Sequence, residues 1–215
     1  MCNYFMVTLK PFDYEAKFML SHFPPNWVIR YKATPTQPVA VVRDPKTRTV
    51  EMFRWGLIPS WAKDPALGSR MINARAETLT EKPSFRNAFQ KRRCLILADG
   101  FYEWEKIPGR SSKPHLFKLV DSTPFMFAGL WEFWTPPGKA NPILSCTIIT
   151  TTPNTLIAPI HDRMPVMLDP EQATSWISDL PPRDLQSLLV PYPTEAMQET
   201  TINSLFNNPA INSPS

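Results

Sequence analysis

The sequence predicts an α+β fold built on an antiparallel or mixed sheet. Three observations carry that expectation. Apolar residues make up 43% of the 215 positions and charged residues 20%, enough for a sizeable core and too apolar for a disordered chain. Short runs rich in β-branched and aromatic residues recur along the chain, whereas helical stretches are few and irregularly placed. The strand–helix–strand rhythm of a parallel sheet is missing. The length suits one domain, expected over residues 1–208, with a frayed tail at 209–215.

The elements follow in order. Residues 13–22 read as a short helix, with Asp13 placed to cap its N-terminus and Phe18, Met19 and Phe23 turned to the core. Strands are expected at 27–31, 39–43 and 50–55. Residues 56–70 read as loop, because Pro59, Trp61 and Pro65 interrupt any regular pattern. Residues 83–90 read as a helix with Pro83 in its first turn. Strands are then expected at 94–98, 101–105, 115–120, 125–134 and 145–151, and late helices at 170–177 and 183–189. From Pro191 onward the chain turns polar and rich in Pro and Asn.

Composition excludes several classes. The 25 prolines against 6 glycines are scattered among 25 aromatic residues, which fits neither collagen nor a low-complexity linker. Proline beside polar residues pre-sets loop shape at low entropic cost, and rigid loops are where sites are mounted. No apolar run reaches the roughly 18 residues of a membrane span, and the N-terminus lacks the pattern of a signal peptide. Cys94 and Cys146 sit in apolar runs and read as core thiols, and no CxxC spacing suggests a metal. A reducing, cytoplasmic setting is expected, nucleoid-associated in a bacterium. The net charge of +4 hides a split: residues 1–120 carry 20 Lys+Arg against 10 Asp+Glu, and residues 121–215 carry 3 against 9. Such polarity suits a basic face, though a solvated surface with chance asymmetry would look the same.

Four segments concentrate reactive groups: Cys2 at the N-terminus, the stretch from Ile72 to Thr78, the stretch from Ala98 to Trp104, and the Pro159–Pro165 loop with His161-Asp162-Arg163. Each alone is a weak signal. Together with Trp55-Gly56-Leu57-Ile58-Pro59-Ser60-Trp61, Phe85-Arg86 and Arg93-Cys94-Leu95-Ile96-Leu97, they occur in an order that resembles the SRAP family, the SOS response-associated peptidase or abasic-site processing proteins. The resemblance runs from residue 2 to about residue 190.

The resemblance implies a single SRAP domain with a barrel-like sheet core and peripheral helices. It implies single-stranded DNA carrying abasic (AP) sites as partner, a covalent link through the N-terminal cysteine, and a role in the DNA damage response. By the same resemblance Cys2 is the nucleophile, Asn73 its orienting partner, and Glu103 and His161 the acid–base groups. Arg75 and Arg86 would contact phosphates, and Thr150 falls at a family site position near His161 and counts with the DNA-binding residues. No cofactor or metal is implied, and a monomer is expected. The family usually reads Cys-Gly-Arg-Phe at its start, with the Arg on a phosphate. Here Asn3-Tyr4 stands in its place, so a phosphate contact is lost and Tyr4 is left to stack or hydrogen-bond.

Elementary chemistry agrees with these roles. Removal of Met1, usual before a small residue, would leave an α-amine and a thiol on Cys2. A 1,2-aminothiol condenses with an aldehyde to an imine and then closes to a five-membered thiazolidine. Both groups have ordinary pKa values, about 7.7–8.0 and about 8.5, that leave them partly nucleophilic near neutrality. Proton transfer at ring opening, dehydration and thiol deprotonation suits a carboxyl and an imidazole. Glu103, flanked by Phe101, Tyr102 and Trp104, would have a raised pKa if buried. Lys91, Arg92 and Arg93 add charge, and Trp61 and Trp55 are candidates for base stacking, with core packing the competing role for each. Arg75 could instead pair with Glu77. A thiol peptidase limited to removal of Met1, an AP-lyase side reaction and a non-catalytic nucleic-acid-binding module are the alternatives.

Overall fold

The structure is a computed structural model that describes residues 2–25 and 27–202. The expected domain end at 208 and the tail at 209–215 lie outside the described residues. In chain order the strands are β1 (Tyr4–Val7), β2 (Arg30–Ala33), β3 (Pro38–Val42), β4 (Glu51–Trp55), β5 (Asn73–Arg75), β6 (Arg93–Ala98), β7 (Gly100–Glu105), β8 (Lys113–Leu119), β9 (Phe125–Trp134), β10 (Ile143–Thr151), β11 (Met164–Pro165), β12 (Met167–Leu168) and β13 (Met197–Thr201). The helices are α1 (Pro11–Phe18), α2 (Pro83–Lys91), α3 (Pro170–Trp176) and α4 (Pro182–Leu185).

β3, β4, β10, β9 and β6 pair in a ring, antiparallel except for β4 with β10, and close a five-stranded barrel. A second, wholly antiparallel sheet runs in the order β13-β8-β7-β1-β2. The expected α+β class, with one barrel core and few helices, is what the chain forms. The layers interlock through aromatic rings. Phe5 of β1 meets Trp55 at 5.0 Å and Phe127 at 5.6 Å, and Phe101 of β7 meets Phe127 at 6.1 Å. Each is fully buried, and burying a large side chain of this kind contributes about 1.5–3 kcal/mol to holding sheet and barrel together.

The chain leaves the barrel for the second sheet at Asp99, between β6 and β7. This carboxylate is fully buried. Its Oδ2 accepts from the Thr8 N–H, from the Leu9 N–H at 2.7 Å, from the Thr8 hydroxyl at 3.1 Å and from the Tyr14 hydroxyl at 3.3 Å, while the Asp99 N–H donates to the Met6 carbonyl at 3.0 Å. Thr8 and Leu9 lie just past β1 and Tyr14 in α1, so Asp99 ties the N-terminal strand and α1 to the sheet junction. A buried anion is tolerable where it is this densely hydrogen-bonded.

A second tie holds the 56–70 segment. Gly56 has φ +126°, and a Cβ there would stand 2.6 Å from the Gly68 carbonyl oxygen; a Cβ on Gly68 would meet the Gly56 oxygen at the same 2.6 Å. The two backbones touch because neither residue has a side chain. The segment expected as loop therefore ends in a 3₁₀ turn, Pro65–Arg70, whose first turn is capped by Asp64 accepting from Ala66 N–H at 2.8 Å.

Other expectations shift. α1 starts earlier than the sequence suggests: Asp13 lies inside it and accepts from the Lys10 N–H at 2.9 Å, and the helix stops where Met19 turns left-handed at φ 52°. Met19 is consequently exposed rather than core-facing, whereas Phe18 is buried and Phe23 packs on Trp27. The strand expected at 27–31 forms later, as β2. The expected helix at 183–189 is α4 followed by a 3₁₀ turn, Gln186–Leu188. β1, β5, β11, β12 and β13 were not expected from sequence. No described helix is long and apolar enough to cross a membrane.

Candidate active site

Four elements bring Cys2, Asn73, Glu103 and His161 together where the second sheet meets β5 and the loop after β10. β1 follows Cys2 and pairs with β7, matching Tyr4 with Tyr102, so Cys2 lies beside the Glu103 end of β7. β5 runs parallel to β10 with Asn73 opposite Ile148, and the Asn73 side-chain Nδ2 donates to the Cys2 carbonyl at 2.9 Å. His161 follows the turn after β10, and its Nε2 lies 3.8 Å from Glu103 Oε2.

The electrostatics follow from burial. Glu103 is 3% exposed, and burial, with the Asp162 charge adding, lifts its carboxyl to about 7. Burial is also the main cause that lowers His161, opposed by Asp162. The two shifts favour the same state, a neutral acid facing a neutral imidazole, because a dry pocket penalises both charged forms. The Cys2 thiol is pushed well above its ordinary value by burial first and by the Glu103 charge second. That charge effect is a further sign that Glu103 and Cys2 are neighbours. The thiol is a nucleophile only once a base takes its proton.

His161 is oriented by its own loop. The Arg163 N–H donates to Nδ1 at 3.0 Å, which leaves the neutral ring's proton on Nε2, toward Glu103. The exposed Asp162 carboxylate lies 3.0 Å from the same Nδ1 and can accept from it when the ring is charged. The Arg163 guanidinium fastens the loop: Nη1 and Nη2 grip Glu77 at 2.7 and 2.9 Å, and Nη2 also donates to the Thr150 carbonyl. This bidentate pair, which also holds the Glu77 carboxyl below its usual range, locks the His161 loop against the turn after β5. Arg163 carried no partner signal in the sequence, since Glu77 lies 86 residues away.

The remaining expected site residues divide. Arg75 is exposed at the end of β5 and is not the partner of Glu77. Trp61 is 58% exposed, at a cleft of about 520 Å³ shared with Lys63 and Arg70. Arg86 is exposed on α2, and among the described residues no hydrogen bond joins it to the four convergent groups. Tyr4 is half-buried against Trp104, with ring centroids 5.1 Å apart.

Three expectations are corrected. Trp55 has no exposed surface and its Nε1 donates to the Ile72 carbonyl at 2.9 Å, so it packs the core and offers no face to a base. Thr150 is 1% exposed, its hydroxyl without a partner among the described residues, so it offers no surface to DNA. Arg93 is spent on carbonyls of Phe89, Gln90, Trp176, Ser178 and Leu180, joining α2 to the end of α3, and is not part of a phosphate track. Among the described residues no cluster of His, Cys, Asp and Glu could hold a metal.

Comparison with known proteins meets this geometry. The family model described as SOS response associated peptidase (SRAP) matches residues 1–209. The chain belongs to the SRAP family. This SRAP chain is 43% identical over 219 residues to abasic site processing protein YoqW of Bacillus subtilis, covering 100% of this chain and 97% of that protein. It is 33% identical to abasic site processing protein HMCES of Pongo abelii over 80% of this chain and 57% of that protein. Its fold superposes on a Bacteroides thetaiotaomicron crystal structure with TM-score 0.88 at 27% identity, over 98% of both chains.

Proposed function

We propose that this SRAP chain processes abasic sites in DNA by joining the ring-opened sugar of a single-stranded AP site to Cys2 once Met1 has been removed. The observation that carries the reading is the convergence of Cys2, Asn73, Glu103 and His161: Asn73 on the Cys2 carbonyl at 2.9 Å, Glu103 on His161 at 3.8 Å, and the Glu103 charge felt by the Cys2 thiol. The names of the relatives point to the same substrate.

The steps balance. The α-amine of Cys2 attacks the C1′ aldehyde and forms a carbinolamine. Glu103, half protonated near pH 7, donates a proton to the departing hydroxyl, and one water leaves as the imine forms. The Glu103 carboxylate left by that step, faced by the Nε2–H of neutral His161, takes the thiol proton. The sulfur then attacks the imine carbon, the nitrogen regains a proton, and the thiazolidine closes with a net loss of one water. Asn73 holds the Cys2 carbonyl and so limits rotation of the residue that carries both nucleophilic atoms.

The test is a denaturing gel of the Met1-processed protein with a single-stranded oligonucleotide carrying one AP site. A slow band that survives denaturation and vanishes in Cys2→Ala supports the reading. A band of equal intensity in Cys2→Ala, or none in the wild type, refutes it.

A further inference from the structure

The outer face of the second sheet carries an arrangement that the four convergent residues do not use. Met6 and Tyr102 are buried there, with Tyr4, Trp104 and Leu116 packed around them. The Lys32 ammonium, on edge strand β2, lies 4.8 Å from the centre of the Tyr4 ring, and Tyr4 in turn lies 5.1 Å from Trp104. The backbone beneath Lys32 is fixed, because the Tyr102 hydroxyl donates to the Tyr31 carbonyl at 2.9 Å. Lysine residues on surfaces usually sample many rotamers; here the face of the Tyr4 ring attracts the ammonium.

The position matters more than the contact. Tyr4 is two residues from Cys2, about 7 Å along an extended chain, and its carbonyl is the acceptor for the Cys2 thiol at 3.7 Å. Trp104 follows Glu103 on β7, so its side chain projects from the outer face of the strand whose inner face carries Glu103. A cation and two aromatic side chains thus lie on the outer face of the sheet, the aromatics two residues from Cys2 and one from Glu103 along the chain. Single-stranded nucleic acid presents a phosphate at every nucleotide and a π-face on every base, and the surfaces that take it pair cations with aromatic platforms.

We propose that Lys32, seated on the Tyr4 ring, receives a phosphate of the strand flanking the abasic sugar, with Tyr4 acting as the positioning residue that holds the ammonium there. The inference rests on the proposed function for the strand's presence but not on the covalent step. It assigns to β2 a contact that restores a positive charge where Tyr4 itself brings none. Because a phosphate is read without regard to base, the contact is sequence-independent and adds to affinity rather than to choice of site.

The experiment separates the two readings. Affinity for an undamaged oligo-dT is measured from 50 to 300 mM salt for wild type, Lys32→Met, Lys32→Arg, Tyr4→Phe, Tyr4→Ala and Lys46→Met, the last in the exposed β3–β4 turn. Loss of one single-strand phosphate contact lowers the slope of log affinity against log salt by about 0.7. Lys32→Met is expected to show that loss, with Lys32→Arg, Tyr4→Phe and Lys46→Met near wild type. Tyr4→Ala should lose part of the same slope, and its loss should not add to that of Lys32→Met in the double variant. An unchanged slope in Lys32→Met overturns the inference even if the wild type crosslinks AP-site DNA. Conversely, a wild type that never crosslinks but shows the Lys32-dependent slope overturns the covalent reading and leaves the phosphate contact standing.

Discussion

Replacing Glu103 by glutamine should change the pH dependence of stability in a direction that burial alone dictates. The carboxyl is 3% exposed and titrates at about 7 in the folded chain, against an ordinary value of 4.5. The folded state therefore holds a proton that the unfolded state releases between those two values. Stability from this group is complete below pH 4.5, falls by about 1.4 kcal/mol per pH unit as pH rises, and levels off above pH 7. The span of roughly two and a half units corresponds to about 3 kcal/mol. Glutamine keeps the shape and hydrogen-bonding capacity of the neutral acid but never ionises, so Glu103→Gln escapes this loss. Urea unfolding of both proteins at pH 4.5, 6 and 8 should show the variant close to wild type at the lowest pH and more stable by about 3 kcal/mol at the highest. AP-site crosslinking should fall in the same variant, since the proton donor for dehydration is gone. A difference between the two proteins that stays constant from pH 4.5 to 8 would refute the claim that burial holds this carboxyl protonated.

The other predictions concern the supports of the site. Asp99→Ala leaves the Thr8 and Leu9 N–H groups without their buried acceptor and should cost about 2–5 kcal/mol in denaturant unfolding, with Asp99→Asn losing less; a loss below 1 kcal/mol for the alanine would deny it the tie to β1. Glu77→Gln and Arg163→Met should each destabilise the chain and slow crosslinking, and a double-mutant cycle should return about 1–3 kcal/mol of coupling for the bidentate pair; additive effects would contradict the clamp. Trp55→Ala should cost about 3–5 kcal/mol, while Trp61→Ala should leave stability within about 0.5 kcal/mol and weaken DNA binding. Equal thermal shifts in the two tryptophan variants would overturn their assignment to core and surface.

The tryptophan pair also shows where sequence reading stops. Both residues stand in one short motif, and their types alone fit either core or stacking. The difference is made by Gly56, whose left-handed φ turns the chain after Trp55 points inward onto Phe5, and leaves Trp61 beyond the turn. The long central strands were readable because β6, β9 and β10 are largely buried on both faces and appear as runs dense in apolar, aromatic and β-branched residues. β13 was not, because only one of its faces is covered and Gln198 and Thr200 point to water on an edge strand. β5 is three residues long and exists because β10 offers it a partner, a tertiary cause with no local signature. At the site, the motifs named Asn73, Glu103 and His161 but not what holds them. The Glu77–Arg163 pair joins segments 86 residues apart, and Arg93 looked like free charge because the carbonyls it collects come from α2 and the end of α3. Spacing along the chain carries periodicity; it does not carry contacts of that separation.

The most direct test of the covalent account is the intact mass of the adduct formed between the Met1-processed protein and a single-stranded AP-site oligonucleotide, without any reducing agent. A species equal to protein plus oligonucleotide minus one water, stable to denaturation and absent in Cys2→Ala, is expected for the thiazolidine. An adduct that persists only after borohydride reduction, or that forms equally without the Cys2 thiol, would contradict it, since an imine alone requires trapping and needs no sulfur.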